Sequence, residues 1–164
     1  MTTKTINIDD VKMLPRHRLF FVDCLDKYSN IPFFPRLARS LARNSYADAM
    51  RHSCRILDYP NNTENLTIRD SEQLCVVLVK IAMFASDRAE NARGTNLSAA
   101  AEAAARYCAE EYCKALIRLS DIFRKQEKKI LDAGGNWDHA ANLADYADIL
   151  KSRAETFRHS RYMK

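Results

Sequence analysis

The chain has 164 residues, 47% hydrophobic and 29% charged, with a formal net charge of +5; these are the proportions of a single globular domain and too apolar for a disordered chain. It has 3 Gly and 4 Pro, where average usage would supply roughly 11 and 8. That scarcity argues against turn-rich sandwiches and barrels and against glycine-loop nucleotide folds, and it predicts an all-α bundle of about six helices.

The breakers are segregated. All four prolines (Pro15, Pro32, Pro35, Pro60) precede residue 61, and all three glycines (Gly94, Gly134, Gly135) follow it. The expectation is one helical domain over 1–164, with a possible sub-division into short basic helices (1–60) and a long-helix bundle (70–164). A first helix is predicted at about 15–28, with Pro15 in the opening turn, where its missing N–H costs nothing. A second is predicted at 34–43 and a third at 46–58, the latter with Ser45 as N-cap and Asp48 in a capping-box position. Residues 59–69 read as a polar loop of turn formers.

A fourth helix is predicted at 71–93, capped by Asp70 or Ser71 and stopped by Gly94. Its first half, Leu74 to Phe84, is apolar nearly all round, which marks a central buried helix, and its polar second half is expected to project into solvent. A fifth is predicted at 98–133, from an Asn96 or Ser98 cap to Gly134. It would be about 54 Å long, against about 40 Å for the diameter of a compact domain of this size. Either the helix breaks or the molecule is elongated. A sixth is predicted at 138–160, capped by Asn136 or Asp138. Its buried stripe is Leu143, Ala147, Leu150, Ala154 and Phe157, and Trp137 is expected to anchor the corner before it.

The charge is local. Residues 12–55 hold nine basic and three acidic residues, a net +6, and the remainder is −1. An arginine excess of this kind is the footprint of a polyanion-binding face, or else an ordinary solvated surface. Arg36, Arg39 and Arg43 share one helix face at i, i+3 and i+7, and Arg51 and Arg55 are i, i+4 on the next helix. The planar guanidinium fork suits phosphate oxygens, and Tyr46 and His52 are near enough in sequence to assist. A helix-turn-helix over the two fits only halfway, because it would place Asp48 and Arg51 at core positions.

Motifs for catalysis are scarce. Neither HExxH, GxSxG, a Walker A loop nor GxGxxG occurs in the sequence, and no metal, cofactor or catalytic residue is expected. One spacing stands out: Arg153 and His159 resemble the R-x(4–6)-H motif of HEPN ribonucleases, in which the pair promotes attack by the RNA 2′-hydroxyl. The position after the arginine is usually polar there and is Ala154 here. The five cysteines (Cys24, Cys54, Cys75, Cys108, Cys113) lack CxxC spacing and read as buried thiols of a reducing compartment. With no signal-type stretch and no span for a bilayer, a cytoplasmic location away from membranes is expected.

Three stretches together resemble the small subunit of type I CRISPR Cascade surveillance complexes. They are the arginine-rich RLARSLAR (36–43), the acidic-then-apolar SEQLCVVLVKIAMFA (71–85) and NWDHAANLADYADIL (136–150), the last followed by a basic tail. The resemblance implies an all-helical, non-catalytic subunit that packs with copies of itself and other subunits. It would contact a guide–target RNA–DNA duplex or a single strand through the phosphate backbone, since base pairing supplies the sequence information. On this chain the residues for that role are Arg36, Arg39, Arg43, Arg51 and Arg55. The tail (Lys151, Arg153, Arg158, Arg161) is a second surface or a contact with a neighbouring subunit. Two alternatives remain: a helical protein–protein interaction module encoded by a mobile element, acting as inhibitor or assembly factor, and a HEPN-type ribonuclease.

Overall fold

A computed structural model describes residues 46–163, and these are helical throughout, with no strand among them. Helix α1 (Tyr46–Cys54) continues into a 3₁₀ turn (Arg55–Asp58), α2 is the single turn Pro60–Thr63, and α3 spans Ile68–Asn91. Helix α4 spans Ser98–Asp132, α5 spans Trp137–Arg158, and a 3₁₀ turn, Arg161–Met163, follows. The helices predicted at 15–28 and 34–43 lie outside the described residues.

Local chemistry sets the boundaries. Helix α3 begins one turn earlier than Asp70 or Ser71 would allow: the Thr67 hydroxyl accepts from the Asp70 N–H at 3.1 Å, and Asp70 then sits in the positively polarised first turn. Thr67→Ala is expected to lower stability by about 1 kcal/mol, read as a shifted denaturation midpoint at unchanged slope. Helix α4 starts at Leu97 with no side-chain cap, so neither Asn96 nor Ser98 serves, and its alanine-rich opening relies on propensity and packing. Asn136 caps α5 by accepting from the N–H groups of Asp138 (2.9 Å) and His139 (3.2 Å).

The reversal from α4 to α5 needs glycine twice. Gly134 has φ +68°, a left-handed conformation that L side chains adopt only at a cost. At Gly135 a Cβ would come within 2.9 Å of Ile130 Cγ2. Ile130 therefore closes the corner, and Trp137 does not: it is 77% exposed. The reason is register, since Trp137 stands about a third of a turn away from the buried stripe of α5.

Helix α4 runs unbroken for 35 residues, about 52 Å, and the core is arranged around it. At one side, Tyr107 and Arg118 meet α1 and the turn after it, and the Gln126 amide donates to the carbonyls of Thr63 and Leu66, both at 3.0 Å. On the opposite side the Ser120 hydroxyl donates to the Ala147 carbonyl at 2.8 Å, a close approach that two small residues permit. Between these sides Leu116, Leu119 and Phe123 of α4 share a core with Val77, Leu78 and Ile81 of α3, all fully buried. The second half of α3 does not project into solvent as its polarity suggested. Ala85 and Ala89 are buried there and carry the apolar stripe along the alanine-rich start of α4.

Helices α3 and α5 are joined by side chains. The Tyr146 hydroxyl lies 2.6 Å from Glu72 Oε1 and 2.9 Å from Ser71 Oγ, and Arg153 Nη1 lies 2.5 Å from the same carboxylate oxygen. A carboxylate has no proton to offer, so Tyr146 donates to Glu72 and accepts from Ser71.

Candidate nucleic-acid interface

Helix α1 separates its faces cleanly. Ala49, Met50, Ser53 and Cys54 are buried, while Arg51 and, one turn on in the 3₁₀ turn, Arg55 are exposed along the outer edge. Arg51 is held in place: its Nη1 bonds Asp48 Oδ1 at 2.7 Å and its guanidinium stands 5.8 Å from the Tyr107 ring centroid. Tyr107 first, then Asp48, pushes its already high pKa further up, so it is fully charged but half-neutralised locally. Arg55 has no ion-pair partner among the described residues. One turn on, Asp58 is taken by Arg118 at 2.6 Å. Tyr46 is buried and His52 half-buried, so neither is placed to stack on a base. Arg51 and Asp48 pair with each other at the surface and do not enter the core as a helix-turn-helix would require.

The tail residues divide. Lys151 and Arg158 are exposed and, two turns apart, occupy one flank of α5. The Arg158 guanidinium faces Cys113 and offsets part of the rise that burial imposes on that thiol. Arg161 bonds the Tyr162 hydroxyl at 2.9 Å and lies 4.9 Å from its ring. It overlooks a cavity of about 520 Å³ whose walls carry Asp87, Glu90, Glu102 and Glu110. A phosphate would meet those carboxylates, so Arg161 is the residue of the set least suited to an anion. Arg153 is committed to Glu72.

The arrangement therefore does not gather the described basic residues into one patch. Arg51 and Arg55 lie on one side of α4, and Lys151 and Arg158 on the other. Arg36, Arg39 and Arg43 lie outside the described residues. Between the two sets runs the outer face of α4, with exposed Lys114, Lys125 and Lys128 interleaved with Glu110 and Asp121. These lysines belong to the same surface and were not singled out from the sequence. Their spacing at whole turns of the predicted helix was the available signal.

Arg153 and His159 both lie at the C-terminal end of α5, where Arg153 is held by Glu72. His159 ends α5 as its C-cap, and six residues place it about two-thirds of a turn from Arg153. Among the described residues no group of three or more His, Cys, Asp or Glu is placed to hold a metal ion, and no helix is long and apolar enough to cross a membrane. Cys54, Cys75, Cys108 and Cys113 are buried and free, and Cys24 lies outside the described residues. Burial pushes the thiols of Cys54 and Cys108 up to about 12 and that of Cys75 to about 11, so they are poor nucleophiles at neutral pH. The chain matches no family model, no curated protein and no solved structure.

Proposed function

We propose that the chain is a non-catalytic nucleic-acid-binding subunit of a larger ribonucleoprotein assembly, similar in role to the small subunit of type I Cascade. It grips the phosphate backbone of an RNA–DNA duplex or a single strand without reading bases. What carries the reading is the concentration of a +6 charge in residues 12–55, ending in the exposed Arg51 of α1 and Arg55 of the 3₁₀ turn after it. Arg51 is pre-oriented by Tyr107, which lowers the entropy lost on meeting a phosphate, and Arg55 needs to give up no ion pair with a described residue. Lys114 on the adjoining face of α4 extends the surface.

The test is fluorescence anisotropy of the full chain with labelled single strands and an RNA–DNA hybrid across a salt series. Affinity is expected to fall steeply with salt and to vary little with sequence, because each neutralised phosphate releases counterions. Arg51→Ala with Arg55→Ala should weaken binding about tenfold and reduce the salt slope by about 2, equally for unrelated sequences; Arg39→Ala with Arg43→Ala should act alike. Binding without salt dependence, or an unaltered slope in both double variants, overturns the proposal.

A further inference from the structure

At one end of the bundle the start of α3, the last turns of α4 and the start of α5 line a common cavity of about 590 Å³. Its floor is aliphatic, made by Leu66, Ile68, Ile130 and Leu143, which belong to the core or pack against it. No Phe, Tyr or Trp of the described residues lines it. Its basic groups come one from each helix: Arg69 from α3, Lys129 from α4 and His139 from α5, all exposed. Neither Arg69 nor Lys129 forms an ion pair with a described residue. Among the described residues Glu64 is the one carboxylate that lines the cavity. Asp70 and Asp138 neighbour Arg69 and His139 in sequence but do not line it. The walls are held without a ligand. Gln126 pins the 63–66 segment to α4 through the Thr63 and Leu66 carbonyls, and Ile130 is set against the glycine corner, in contact with Gly135. Two cavities of similar size lack this pairing of an aliphatic floor with surplus positive charge. The one beneath Arg161 sets Asp87, Glu90, Glu102 and Glu110 against Arg93, Arg106 and Arg161. The one beside Leu57 and Ile122 balances Asp58, Glu64 and Asp121 against Arg118, Lys125 and Lys129.

We infer that this cavity is a binding site for a small amphipathic anion, an aliphatic chain ending in a carboxylate. Small-molecule sites typically enclose roughly 300–1,000 Å³ and pair a largely apolar lining with a few placed polar groups, and this cavity has both properties. The chain lies on the aliphatic floor and the carboxylate sits at the mouth. There the Arg69 guanidinium fork matches both carboxylate oxygens, and the Lys129 ammonium supplies a second positive charge. His139 adds a ring N–H donor. The floor also argues against a nucleotide. A base gains most from stacking on an aromatic face, and four aliphatic side chains offer none, whereas they suit a methylene chain well. Walls that are already in place keep the ordering cost of binding low. The cavity lies about 16 Å along α4 from Arg118, and neither Arg51 nor Arg55 lines it. Its occupancy therefore does not compete with phosphate contacts at those arginines.

Methyl NMR spectra of the full chain, titrated with octanoate below its micelle concentration, test this without nucleic acid. Saturable shifts are expected at the methyls of Leu66, Ile68, Ile130 and Leu143, with half-saturation at about millimolar concentration or below. Octanol, which keeps the chain and lacks the charge, should shift them about tenfold less at equal concentration. Butanoate, which keeps the charge and lacks most of the chain, should also bind more weakly. Arg69→Gln with Lys129→Gln, both at exposed sites, should leave the circular dichroism intact and remove the preference for octanoate over octanol. Arg51→Ala with Arg55→Ala should bind octanoate as wild type does, so the outcome is separate from that of the nucleic-acid reading. Octanoate that gives no saturable shift, or shifts scattered over the surface, overturns the inference. So does a Gln double variant that keeps the preference for the acid, or adenosine monophosphate acting on the same four methyls more strongly than octanoate.

Discussion

Phe123→Ala is expected to destabilise the fold by about 3–5 kcal/mol, the largest effect of any single truncation proposed for this chain. Phe123 has no exposed surface and is among the largest fully buried side chains. Its ring meets that of Tyr146 edge-on at 4.9 Å and 81°, so the loss comprises transfer, cavity and ring–ring terms together. It lies on the spine helix at the level where α3 and α5 are linked, and helices cannot collapse into the void without breaking the Tyr146 hydrogen bonds. Small domains hold only about 5–15 kcal/mol in total, so the melting temperature should drop by roughly 10 °C or more. Trp137→Ala, by contrast, should change the stability of the fold by no more than about 0.5 kcal/mol, since Trp137 is 77% exposed. Calorimetry of the two variants side by side checks both, and equal shifts would contradict the assignment of the core.

The second large effect concerns the link between α3 and α5. Tyr146→Phe is expected to cost about 1–3 kcal/mol, because it removes the donor to Glu72 and leaves buried Ser71 short of a partner. The same cluster gives an acid dependence. Partial burial pushes the Glu72 carboxyl up, but hydrogen bonds from Arg153 and Tyr146 and the Arg153 charge outweigh it, so its pKa is lowered in the folded protein. The stabilisation is then complete above the ordinary carboxylate value of about 4.3 and is lost as pH falls through the lowered one. The Glu72 and Arg153 side chains are each 40% exposed, so solvent screening keeps the ion pair's share to about 1 kcal/mol or less. Denaturation titrations at neutral pH and well below it should show wild type losing more stability than Glu72→Gln. A parallel loss in both would remove Glu72 from the acid response.

The long helices were legible because their ends are written in local chemistry. Gly94 and Gly134 mark two C-termini through their left-handed backbone, Asn136 caps α5, and the repeat of Leu143, Ala147, Leu150 and Ala154 fixes its buried side. Thr67 was missed because the dense apolar pattern begins only at Leu74, which drew the predicted start of α3 towards it. Trp137 was misplaced because a large aromatic next to a corner looks like an anchor until the register of α5 is known. The candidate site was less legible for a different reason. Which charges remain available depends on partners distant in sequence: Arg118 with Asp58, Arg124 with Asp148, Arg153 with Glu72. None of these pairs is visible in a helix's own periodicity, and each changes what its arginine can offer a ligand.

The unbroken α4 has a consequence for how the chain finds its fold. Its two main partners are its sequence neighbours, reached through the short connections at 92–97 and 133–136, so most of the core is built by two helical hairpins sharing one arm. Few distant segments must be brought together before stabilising contacts form, and the entropy of loop closure is met early. Such a topology is expected to fold within microseconds to milliseconds, with either hairpin able to form first and template the other on the opposite side of the shared helix.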